Sequence, residues 1–121
     1  MNRDYIRFRA WDKKKKIIVY NIESYCYYQP IDPDDPEEFC FTDFIAQAKR
    51  FELMRSTSLK DIHSKTIFVG DKIKNKNKKI GFVHDDGDRF SWEYGQNWGE
   101  IEVEYDQIEI IGNKFEKPEL L

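Results

Sequence analysis

A chain of 121 residues is the size of one domain and can bury roughly two thirds of its unfolded surface. Hydrophobic residues make up 40%, charged residues 36% and aromatics 16%, so rings must supply much of the core and strands are favoured over helices. The net charge of −3 excludes a globally basic nucleic-acid binder, and no stretch approaches the ~20 apolar residues of a membrane span, which predicts a cytoplasmic protein.

Residues 5–11 alternate, with Ile6, Phe8 and Ala10 on one face and Arg7 and Arg9 on the other, which predicts a half-buried strand. Asp12–Lys16 reads as a polar turn and Ile17–Tyr20 as a second strand, together a hairpin. In Gln29–Glu38, prolines 30, 33 and 36 recur among five carboxylates, which predicts an exposed, solvated loop. Phe41, Phe44, Ile45 and Ala48 follow helical spacing, so one short helix is predicted over Asp43–Arg50, capped by Thr42 or Asp43.

Phe51–Arg55 reads as a strand, Ser56–Lys65 as a polar connection and Thr66–Val69 as a short strand. Gly70-Asp71 then turns the chain into Lys72–Lys74. Farther on, Ile80 and Phe82 share a face, Asp85-Asp86-Gly87 is a turn, and Phe90, Trp92 and Tyr94 share a face whose strict alternation favours core. Ile101, Val103 and Tyr105 point opposite to Glu100, Glu102 and Glu104, and a last strand covers Ile108–Ile111. The predicted fold is mainly β. An N-terminal β-hairpin subdomain with one short helix (1–50) precedes a small barrel (51–121), because closure removes exposed strand edges.

No catalytic constellation stands out, and neither a metal site nor a cofactor is expected. His63 and His84 are the two histidines, and His84 ends a strand beside Asp85 and Asp86, the setting of an ordinary turn-flanking imidazole. Asp85-Asp86-Gly87-Asp88 lacks the closing glutamate of a calcium loop, since residue 96 is Gln. Cys26 and Cys40 have no CxxC spacing and read as buried free thiols; a disulfide between them would depend on geometry.

Two binding readings remain. In the first, Tyr25, Tyr27, Tyr28 and Trp98 are interface aromatics of a protein-interaction module whose partner is another protein or a second copy of the chain. In the second, Lys72, Lys74, Lys76, Lys78 and Lys79 form a basic hairpin that tracks a phosphate backbone while one of Phe90, Trp92 and Tyr94 stacks on a base, with Lys72 and Lys74, which flank Ile73, both facing solvent on one side of the strand. Against that second reading, lysine-rich turns also keep hairpin tips soluble.

Three segments carry a family likeness. Residues 7–12 (RFRAWD), 70–73 (GDKI) and 110–116 (IIGNKFE), the last followed by Pro118-Glu119-Leu120-Leu121, resemble the YopX-like proteins of phages and prophages. The Leu53-Met54 strand and the Leu59-Lys60-Asp61 turn fall where that family places them. Val69 departs from the acidic residue usual before the Gly-Asp turn, and Ile62-His63-Ser64 replaces a turn that tends to contain glycine. The resemblance implies a C-terminal SH3-like barrel and a phage or prophage origin, and it carries no catalytic residue onto this chain.

Overall fold

A computed structural model describes residues 7–87, 90–94, 97–101 and 107–116. The protein is mainly β with one short helix. Its contacts divide it into two units between Arg55 and Ser56, five residues beyond the boundary expected at 50/51.

In the N-terminal unit, β1 (Phe8–Asp12) and β2 (Ile17–Tyr20) form the predicted hairpin, in register from Arg9↔Tyr20 to Asp12↔Ile17. A 3-10 turn (Ile22–Ser24) leads to β3 (Gln29–Pro30) and β4 (Glu38–Phe39), then to α1 (Phe41–Ala46). The chain enters β5 (Phe51–Lys60), whose first half pairs with β1 from Phe8↔Arg55 to Asp12↔Phe51. The core is largely aromatic. Phe44 meets Tyr25 edge-on at 5.1 Å and Phe51 at 4.8 Å, with Phe39, Ala10, Val19 and Ile22 around them.

Three expectations change in this unit. Arg9 is buried along with Trp11, so β1 is covered on both faces rather than half-buried; the Arg9 guanidinium lies 6.0 Å from the Tyr20 ring centre. The acidic segment is exposed as expected but is held as a hairpin, since β3 pairs with β4 and Lys15 bridges Asp35 at 2.6 Å. The helix starts earlier and ends sooner than Asp43–Arg50. Asp43 does not begin the helix but reaches back from its first turn, and its Oδ2 accepts the Cys40 N–H at 2.9 Å. The Gln47 carbonyl then accepts the N–H groups of both Arg50 and Phe51, turning the chain into β5.

The second unit contains the rest of β5, then β6 (Thr66–Phe68), β7 (Asp71–Lys74), β8 (Ile80–Asp85), β9 (Phe90–Tyr94), β10 (Asn97–Glu100) and β11 (Glu109–Asn113). Pairing runs β10-β9-β8-β7-β11 around a core of Ile67, Ile73, Val83, Trp92 and Ile108. Among the described residues, β10 and β11 are not paired with each other to close a ring. Val103 and Tyr105 lie outside the described residues. Half of the predicted connection 56–65 is strand: Ser56 pairs with Phe68, and the Thr57 hydroxyl donates to the Ile67 carbonyl at 2.8 Å, which lets polar residues sit buried. Val83 pairs with Trp92 across β8 and β9, and both are buried. Gly81 is required where β8 passes β9, because a Cβ there would lie 2.0 Å from the Glu93 carbonyl oxygen. Among the described residues, no helix is long and apolar enough to cross a membrane.

The turn at 61–65 replaces the expected glycine with geometry. Ser64 adopts a left-handed φ of 63°, held because the Asp61 carboxylate accepts the N–H groups of His63 and Lys65 at 2.9 Å each. A side chain in that region costs about 1 kcal/mol relative to glycine. Ser64→Gly should therefore stabilise the protein by roughly that amount in urea unfolding, and a destabilised variant would mean the turn is not left-handed.

Candidate functional site

The motif residues are turn organisers. Asp12, fully buried, accepts the Lys14 and Lys15 N–H groups through Oδ1 at 3.0 and 3.2 Å. Arg50 adds two bonds to the same carboxylate, from Nε to Oδ1 at 3.1 Å and from Nη2 to Oδ2 at 3.0 Å, and donates Nη1 to Glu37 at 2.9 Å. Its guanidinium carbon lies 4.9 Å from the ring centres of both Phe39 and Phe51. Burial pushes the Asp12 carboxyl up, but Arg50 and the two backbone donors outweigh it and hold it below the usual carboxylate value. This cluster was not anticipated from the sequence; the available signal was an Asp opening a lysine-rich turn, the signature of a side chain that caps its own backbone.

The same device recurs at each signature position. Asp61 takes the His63 and Lys65 donors and, through Oδ2, the Ile110 N–H at 3.1 Å; burial raises its carboxyl, and these three N–H groups bring it below the usual value. Asp71 Oδ2 accepts the Phe68 N–H at 2.7 Å. Asn113 Oδ1 accepts the N–H groups of Phe115 and Glu116. Outside the signature, Asn75 Oδ1 accepts those of Asn77 and Lys79.

The histidines are each beside a glutamate. His63 Nε2 lies 2.8 Å from Glu109 Oε2, a bond that, with Lys74 nearby, holds the Glu109 carboxyl down. His84 Nε2 lies 3.0 Å from Glu93 Oε2 across the β8–β9 pair. Among the described residues, no group of three or more His, Cys, Asp or Glu side chains is placed to hold a metal.

The lysine cluster is split. Lys72 is buried, 3% exposed, so it does not face solvent as expected: the face of β7 opposite Ile73 is covered at that point. Lys74 is half-buried with Nζ 3.5 Å from Glu109. Lys76, Lys78 and Lys79 are exposed on the β7–β8 turn, where Lys78 takes a left-handed φ of 63°.

The aromatic candidates split too. Tyr25 is core, 9% exposed, not an interface residue, and burial holds its hydroxyl above the usual phenol value. Tyr27 and Tyr28 stand out at 83% and 65% exposure. The Tyr28 hydroxyl is held above the usual phenol value, chiefly by its hydrogen bond with the Cys40 side chain. The Trp98 side chain lies outside what the structure describes. Both cysteines are free, Cys26 exposed and Cys40 half-buried, so the expected pair of buried thiols is not found.

These features define a class: a mainly β protein whose signature residues lock turns. The chain matches the family described as YopX protein over residues 7–121, and it belongs to that family. It is also similar in fold to protein EF1440 from Enterococcus faecalis, with 22% identity, 98% of this chain and 99% of that one covered, and a TM-score of 0.68. No curated protein matches it.

Proposed function

We propose that the protein is a non-catalytic interaction module that grips an arginine- or lysine-bearing polypeptide of a host or phage protein in the bacterial cytoplasm. The observation that carries this reading is the adjacent, outward Tyr27 and Tyr28 pair within residues 21–48, a stretch with seven carboxylates and no lysine or arginine. Among the described residues, Lys15 bridges into it at Asp35 and Arg50 at Glu37, with Arg50 also committed to Asp12. Exposed tyrosines anchor interfaces, and their faces attract guanidinium groups by about 0.5–2 kcal/mol each. Titration of a fluorescent oligo-arginine peptide should show saturable binding that an oligo-glutamate peptide lacks. Tyr27→Ala/Tyr28→Ala should weaken that binding about tenfold or more with the fold intact. Equal binding by the double variant removes the tyrosines from the surface.

A second reading rests on Lys76, Lys78 and Lys79, the exposed part of the basic hairpin. Contact with about three phosphates gives a log–log salt slope near −2 to −3 for an oligonucleotide, and charge reversal of these three lysines should abolish it. Retained affinity in the reversed variant would exclude the hairpin as a nucleic-acid site.

A further inference from the structure

We infer that Cys26 and Cys40 form a thiol–disulfide pair that reshapes the tyrosine surface; its regulatory half rests on the interaction reading above. Two contacts fix the register around them. Gln29 pairs with Phe39, and the Phe41 N–H donates to the Tyr25 carbonyl at 2.9 Å. Between these points one side has three residues, Cys26, Tyr27 and Tyr28, and the other has Cys40 alone. Cys40 thus lies opposite the bulge that begins with Cys26, and neighbouring segments joined in this way bring Cα atoms into the roughly 4.4–6.8 Å range a disulfide needs.

The two thiols have different roles in the exchange. Cys26 is exposed, so its thiolate can attack a glutathione-type disulfide, forming a mixed disulfide and releasing one small thiolate. The Cys40 thiolate then attacks the Cys26 sulfur and expels the second. The protons of Cys26 and Cys40 pass to the two released thiolates. The protein is oxidised by two electrons, and the small disulfide is reduced by the same two. Cys40 Sγ, now 3.0 Å from Thr42 Oγ1 and bonded to the Tyr28 hydroxyl, is redirected to Cys26. That draws the bulge in and moves Tyr27 and Tyr28.

The folded protein, incubated with oxidised glutathione, should lose about 2 Da and give a Cys26–Cys40 cross-linked peptide in mass spectrometry. Cys40→Ser should stop at the glutathione adduct on Cys26. Wild-type protein that also stops at the adduct, or that cross-links only between molecules, overturns the pair. Oxidation should change oligo-arginine affinity at least about fivefold. Unchanged affinity in the cross-linked protein overturns the regulatory half. A cross-link in protein that binds no peptide in either state upholds the pair and rejects the interaction reading, so the two failures are distinguishable.

Discussion

Replacing Arg50 with alanine should lower stability by about 3–5 kcal/mol in urea unfolding, the range expected when one partner of a buried ion pair is removed. The loss exceeds that of a surface bridge because Asp12 has no exposed area and Arg50 supplies two of its hydrogen bonds. The same truncation removes the guanidinium that lies against the Phe39 and Phe51 rings. Arg50→Lys should recover only part of the loss, since an ammonium cannot reproduce the fork. The folded protein holds the Asp12 carboxyl below its unfolded value, so its contribution is present above about pH 4 and is lost as the pH falls through the folded value. Arg50→Ala should therefore also flatten the acid limb of the stability curve, while the contribution of Asp61 persists. A loss under about 1 kcal/mol, with an unchanged acid limb, would mean the pair does not hold the unit together.

Trp92→Ala should cost about 3–5 kcal/mol and lower the melting temperature by roughly 10–20 °C in calorimetry. The ring is buried among Ile67, Ile73, Val83 and Ile108, and it packs where Gly81 lets β8 and β9 close up. Trp92→Phe should keep much of the stability, because it retains an aromatic ring in a smaller volume. A near-neutral alanine variant would mean the indole is not part of the core in solution.

The alternating segments were legible because period two and strand burial are the same geometry. The hairpin over residues 8–20, the short strand at 66–68 and the core position of Trp92 all follow from it. The failures share a cause: alternation says which residues share a face, not whether the second face is covered. Arg9 and Lys72 occupy the polar faces of their strands and are nevertheless buried. The polar run after Arg55 misled for a related reason. Ser56 and Thr57 are buried with donors and acceptors met across the strand pair, which composition cannot register. Tyr25 is buried while Tyr27 and Tyr28 are exposed because alternation breaks between the Tyr25 carbonyl, which accepts the Phe41 N–H, and Gln29, which pairs with Phe39.

The side-chain-locked turns also order the events of folding in time. Asp12 and Asn75 bind donors two to four residues ahead, so their hairpins can close on the microsecond scale with little loop entropy to overcome. Asp61 bonds Ile110 across 49 residues of sequence, and that contact must wait for the chain between them to be arranged. The first two residues therefore guide an unfinished chain toward its register, whereas the third secures a structure already assembled.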